Sequence, residues 1–229
     1  MTAIGSHAPR DEQGLLAQFD DLDGRLRGRR VRLGKLADAL LTRHDNHPVV
    51  TALTGQALAL AAALATALKF RGSFSLQAKG DGPITMLLAD CTETGAVRGY
   101  AQYKADRLEA LPETNPAPNA AQLLGGGYMA FTVDQGPDTE RHQGIVAITG
   151  DTLAEMALHY FSTSEQLRCV IRLACEQTAN GWRAGALIVE QIAAEGGTEA
   201  VDARGHAEDW ITAAILAETV SDAELLNDT

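Results

Sequence analysis

Ser73-Phe74-Ser75-Leu76-Gln77-Ala78-Lys79 is followed by Gly80-Asp81-Gly82-Pro83 and then by Ile84-Thr85-Met86-Leu87-Leu88-Ala89-Asp90. The first run alternates, with Phe74, Leu76 and Ala78 on one side, as a half-buried strand does. The Gly-Asp-Gly-Pro segment is a turn, and the second run is another strand. Thr94-Gly95 turns the chain into a third strand, Ala96–Tyr103, so the three form an antiparallel meander. Strict alternation puts Ile84, Met86 and Leu88 on one face of the second strand and Leu87 and Ala89 on the other. A strand apolar on both faces is covered on both.

Toward the N-terminus the period changes to that of helices. Val49–Phe70 has a core of Ala and Leu, Ala57–Leu68, and Pro48 suits its first turn. Thr51, Thr54 and Gln56 interrupt the start, Lys69 closes the end, and alanine drives membrane insertion weakly. A buried core helix is expected there, and no membrane span. Before it, Leu33, Leu36, Ala37, Leu40 and Leu41 have the spacing of an amphipathic helix around Lys35–Arg43. Arg25, Arg27, Arg29, Arg30 and Arg32 precede that helix in an extended segment. A solvated basic strand face is expected, with a phosphate patch as the alternative. Residues 1–18 have no apolar stretch behind a basic one, and read as a flexible leader and not a secretory signal.

Toward the C-terminus, Pro112, Pro116 and Pro118 mark a crossover near 111–119. A short helix, Ala120–Leu124, stops at Gly125-Gly126-Gly127, and Tyr128–Asp134 and Gly144–Ile148 read as strands. Thr152-Leu153-Ala154-Glu155 is a capping box that opens a helix. Gln166–Glu176 and Trp182–Ile192 form a hairpin about Asn180-Gly181, and a last helix covers Asp209–Thr219. Ser221-Asp222-Ala223-Glu224 is a second capping box, followed by Leu225 and Leu226. Residues 221–229 therefore read as the start of a truncated linker. The fold class expected is α+β: a mixed, largely antiparallel sheet packed against helices, in a single large domain over 19–220.

The 229 residues are 45% hydrophobic and 21% charged, which argues against wholesale disorder. A net charge of -11 argues against nucleic-acid binding. Three cysteines cannot build a disulfide scaffold, and a reduced, cytoplasmic setting is expected. Asp21-Leu22-Asp23-Gly24 lacks the rest of a calcium loop, since Phe19 and Arg30 stand where acids are needed. His44 and His47 have HxxH spacing but no third ligand nearby. No GxSxG, Walker or GxGxxG pattern occurs. Cys91, Cys169 and Cys175 form neither CxC nor CxxC. On one strand, Cys169 and Cys175 would share a face about 20 Å apart, too far for a disulfide. No catalytic or metal site is expected.

Several motifs in order resemble the heat shock protein 33 family of redox-regulated molecular chaperones. They are Arg27-Gly28-Arg29-Arg30-Val31-Arg32-Leu33-Gly34, His44-Asp45-Asn46-His47-Pro48-Val49-Val50, Gly55-Gln56-Ala57-Leu58-Ala59-Leu60 and Leu68-Lys69-Phe70-Arg71-Gly72. Gly80-Asp81-Gly82-Pro83, Val97-Arg98-Gly99-Tyr100-Ala101, Thr132-Val133-Asp134-Gln135-Gly136-Pro137 and Tyr160-Phe161-Ser162-Thr163-Ser164-Glu165-Gln166-Leu167 continue the series. The resemblance covers about Phe19 to Thr229. It implies a cytoplasmic, ATP-independent holdase that binds unfolding client proteins, acting as a homodimer. It also implies a zinc-thiolate switch with CxC and CxxC pairs in a separate C-terminal domain. Those cysteines are absent from this sequence, so no zinc or other cofactor is expected on this chain.

The expected mechanism is capture on uncovered apolar surface. By alternation the candidate client-binding residues are Phe74, Leu76, Met86, Leu88 and Tyr100. Two other readings are a thiol-dependent enzyme using Cys91 with His142 or His159, and a domain that only dimerises.

Overall fold

The computed structural model describes residues 14–20, 26–66, 72–111, 117–136, 139–192 and 203–227. The chain runs through β1 (Gly14–Asp20), β2 (Leu26–Leu33), α1 (Lys35–Leu41), α2 (Pro48–Ala65), β3 (Ser73–Gly80), β4 (Ile84–Thr92) and β5 (Val97–Tyr103). It continues through α3 (Ala105–Glu109), α4 (Ala120–Leu124), β6 (Gly127–Asp134), β7 (His142–Ala147), α5 (Leu153–Thr163), β8 (Cys169–Thr178), β9 (Gly181–Gln191), α6 (Ala203–Glu218) and α7 (Asp222–Leu226). The strands form two antiparallel sheets, ordered β1-β2-β9-β8 and β5-β4-β3-β6-β7. The α+β expectation holds, with two sheets where one was read. The meander β3-β4-β5 is joined by β6, which pairs with β3 from the other side.

Helix α2 lies between the sheets and contacts β2, β8 and β9 of one and β3, β4 and β5 of the other. It is long and apolar enough to cross a membrane, but most of it is buried inside the fold. Its Leu and Ala side chains are sheltered on every side, as the absence of a polar face requires. Pro48 occupies the first turn, where no N–H is needed. The buried hydroxyl of Thr54 donates to the Val50 carbonyl at 2.7 Å, so the interior polar atom is satisfied.

The face assignment of β4 differs from strict alternation. The β4–β5 register jumps between Ile84 and Met86, which leaves Thr85 as an extra residue. That bulge moves Ile84 to the same face as Leu87, Ala89 and Cys91, all buried. Met86 and Leu88 stay on the opposite, part-exposed face.

Two other sequence expectations change, and one lies partly outside the described residues. A strand, β1, occupies Gly14–Asp20 and overlaps the end of the stretch 1–18 read as a leader; residues 1–13 lie outside the described residues. The crossover prolines Pro112 and Pro116 also lie outside them. Of the arginines read as a solvated face, Arg25 lies outside the described residues, Arg27, Arg30 and Arg32 are half-buried, and Arg29 is enclosed. Arg29 is buried and pairs with Glu190 at 2.9 Å, with Arg27 at 3.6 Å from the same carboxylate. Arg30 donates to the backbone carbonyl of Glu224. The reason is position: β2 is an inner strand of its sheet, between β1 and β9.

The segment read as a linker start forms α7, one capped turn. Ser221 and Glu224 make the reciprocal capping bonds, and Leu225 and Leu226 are buried against Ala174. Helices α6 and α7 thus pack on the face of the β1-β2-β9-β8 sheet that α2 does not use, at Val170, Val189 and Ala174.

Candidate functional site

The face of β5-β4-β3-β6-β7 turned away from α2 is organised in cross-strand rows set by the register. One row is Gln102, Met86, Lys79, Tyr128 and Ala147. The next is Tyr100, Leu88, Gln77, Ala130 and Ile145. The third is polar: Arg98, Asp90, Ser75, Thr132 and Gln143. Asp90 takes hydrogen bonds from Ser75 and Arg98, and Gln143 donates to Thr132 at 2.9 Å.

The first two rows give the face an apolar strip bounded by that polar row. Tyr100 is 40% exposed, Tyr128 37% and Ile145 58%, while Met86 and Leu88 are part-exposed. Lys79 and Gln77 interrupt the strip, and the Gln77 amide sits 3.6 Å from the Met86 sulfur. Helix α2 packs on the opposite face, and α4 meets β3 and β4 at the Gly80–Gly82 turn. Tyr100, on the edge strand, meets the His44 ring edge-on at 6.4 Å.

The five residues chosen from alternation therefore divide. Met86, Leu88 and Tyr100 lie on this open face. Phe74 and Leu76 point the other way, 6% and 0% exposed, and pair across the sheet with Cys91 and Ala89. They are not presented at the surface in this fold. Their face is the one covered, because α2 needs an apolar surface to lie on. Tyr128 and Ile145 belong to the open face and were not picked out by alternation. Each sits in a readable strand, but only the pairing of β6 with β3 places them beside Met86 and Leu88.

The inner face ends in an aromatic cluster. Phe131 stacks on Tyr160 at 4.4 Å between centroids, with Phe74 and Phe161 about it. The Tyr160 hydroxyl donates to Glu165 at 2.6 Å. Burial first, and then that carboxylate, push the phenol well above its usual range. Gln166, next to Glu165, adopts a left-handed backbone, φ +52°.

The thiols do not assemble a reactive centre. Burial pushes Cys91 up to about 11. Burial and a neighbouring acid push Cys169 and Cys175 up to about 12, the acids being Glu190 and Glu176. A protonated, enclosed thiol is a poor nucleophile. His142 shares a row with Cys91 but stands three strands away, about 14 Å. His159 lines a groove with Cys169, and Cys91 is not among that groove's residues. Among the described residues no three His, Cys, Asp or Glu side chains gather in a way that could hold a metal. Cys91 is on one sheet and Cys169 and Cys175 are on the other, so the three do not fit a zinc-thiolate tetrahedron.

Comparisons with known proteins place this arrangement. A family model described as Hsp33 protein matches residues 16–229. A 33 kDa chaperonin of Caulobacter vibrioides is 42% identical over 209 residues, 89% of this chain and 67% of the relative. That of Azotobacter vinelandii is 35% identical over 208 residues, 91% of this chain and 65% of the relative. A crystal structure of the 33 kDa chaperonin from Thermotoga maritima superposes with a TM-score of 0.76 at 22% identity, covering 94% of this chain and 70% of that one. At that identity the likeness speaks for the fold. The chain spans about two-thirds of the length of these relatives.

Proposed function

The chain belongs to the Hsp33 family and is a chaperone; we propose that it works as a holdase, gripping unfolding proteins on the open face of the β5-β4-β3-β6-β7 sheet without ATP or a catalytic step. The observation that carries this reading is two part-exposed apolar pairs of neighbours, Tyr100 with Leu88 and, across Gln77 and Lys79, Ile145 with Tyr128, on one open face beside Met86. An unfolding client exposes apolar side chains and unpaired backbone. Burying apolar area against this strip is worth about 25 cal/mol per Å² and asks for no sequence code. The net charge of -11 keeps a loaded complex in solution.

Redox control, which the resemblance attaches to CxC and CxxC pairs in another domain, has no seat in Cys91, Cys169 or Cys175. The raised thiols fit a chain whose client face is not itself switched by oxidation. Three free cysteines with none paired fit a reducing setting. The test is light scattering of a heat-unfolding protein mixed with the purified chain, without ATP or oxidant. Suppression near stoichiometric concentration, lost in Leu88→Lys with Ile145→Lys, supports the reading. Suppression that the double variant retains moves the grip elsewhere.

A homodimer is the accompanying proposal, supported by a second exposed apolar stripe. On α6, Ile211, Ile215 and Leu216 are exposed while Ala213, Ala214 and Ala217 face the sheet. Sedimentation of the wild-type chain and of Ile211→Lys with Ile215→Lys tests it. A dimer that the variant converts to monomer supports the stripe as the contact.

A further inference from the structure

A groove of about 550 Å³ opens between α5, the segment leading into β8, and α6. It lies away from the open sheet face: Leu158, His159, Leu167, Arg168, Cys169 and Trp210 line it together with Ser162, Glu155 and the Thr149–Gly150 turn. Leu158, Leu167 and the Trp210 indole supply an apolar wall.

Two basic side chains stand in this wall. Among the described residues the Arg168 guanidinium and the His159 imidazole have no hydrogen-bond or ion-pair partner. Glu155, which also lines the groove, accepts from the backbone N–H of Asp151 at 2.6 Å and of Thr152 at 3.3 Å. Glu190, beside Cys169, is held by Arg29 and Arg27. On a chain of net charge -11, a guanidinium with no partner among the described residues, set against an apolar wall, favours an anion with an apolar body, and the Glu155 carboxylate in the same groove limits how close that anion's charge comes to the Thr149–Glu155 side.

We propose that this groove binds an amphiphilic carboxylate, its alkyl chain against Trp210, Leu158 and Leu167 and its carboxylate on Arg168, with His159 as a second donor. The site is independent of the holdase reading, since it uses none of the residues of the open sheet face.

The experiment is a fluorescence titration of the full chain with decanoate, below its micelle concentration. The chain has two tryptophans, and Trp182 is buried on β9. Trp182→Phe leaves Trp210 as the reporter. The expected result is a saturable change in Trp210 emission, weakened about tenfold in Arg168→Gln by loss of a charge-assisted hydrogen bond. Leu88→Lys leaves it unchanged. Decanol and decyltrimethylammonium, with the same chain and no anion, bind more weakly than decanoate. No saturation, equal binding by decanol, or full affinity in Arg168→Gln overturns the proposal. Arg168 is exposed, so the variant is expected to fold, and its melting temperature verifies that. Should Trp182→Phe fail to fold, isothermal calorimetry on the wild-type chain and Arg168→Gln reads the same affinities.

Discussion

A methyl group placed on Gly55 would lie 2.2 Å from the sulfur of Cys175. That contact joins α2 to β8, and it couples the helix to the sheet through one absent side chain. Gly55→Ala is expected to destabilise the chain by about 1–3 kcal/mol, the usual cost of overpacking. Cys175→Ala removes the opposing sulfur and should restore part of the loss in the double variant. Chemical denaturation of the two single variants and the double measures the coupling. Additive losses would show that the two sites do not meet.

The Arg29–Glu190 pair sits on the α2 side of the other sheet, with the Arg29 Nε left without a partner. Removing one member strands a buried charge. Glu190→Leu is expected to cost about 3–5 kcal/mol, and Arg29→Met with Glu190→Leu markedly less. Urea midpoints of the three proteins check this.

Thiol reactivity and alkaline stability follow from burial. Below the ordinary thiol value of 9.0 the folded and unfolded chains both keep these protons. Above it the unfolded chain releases protons that the folded chain retains, up to about 11 at Cys91 and about 12 at Cys169 and Cys175. Stability contributed by the protonated thiols is therefore present below pH 9 and declines as pH rises toward those values. Melting temperatures of the wild-type chain and a variant with all three cysteines changed to alanine should converge in slope below pH 9 and separate above it. Labelling by a chromogenic disulfide at pH 8 should be slow in the native chain and fast in denaturant.

Gln166 holds a left-handed backbone between α5 and β8, φ +52°. For a residue with a Cβ this costs about 1–2 kcal/mol. Gln166→Gly is expected to raise stability by up to about 1 kcal/mol once the greater freedom of the unfolded glycine is subtracted. A thermal melt detects it, and a fall in melting temperature would mean that the Gln166 side chain matters to the fold.

The two faces of the β5-β4-β3-β6-β7 sheet should respond oppositely to substitution. Leu76→Ala removes a fully buried side chain and should cost about 2–5 kcal/mol. Ile145→Ser removes an exposed one, should change stability by less than about 0.5 kcal/mol, and should weaken aggregation suppression. Denaturation and light scattering on the same preparations separate the effects.

Local chemistry written in the sequence carried over to the structure wherever a short signal suffices. Period-2 runs became β3, β4 and β5, the Ala-Leu run from Ala57 to Ala65 became part of the central helix, and Thr152 with Glu155 and Ser221 with Glu224 made the capping boxes they spell. Such signals act between residues a few positions apart, so the chain declares them before it folds. The family's motif order is likewise a property of the linear sequence. Which face of β4 is open was not legible. One extra residue at Thr85 reverses the alternation for Ile84, and that bulge is set by pairing with β5. Nor was it legible that Tyr128 and Ile145 join Met86 and Leu88, or that Arg29 is buried, since both depend on strands distant in sequence. Side-chain period decides that a strand has two faces. Only long-range packing against α2 decides which face is covered and which is left open.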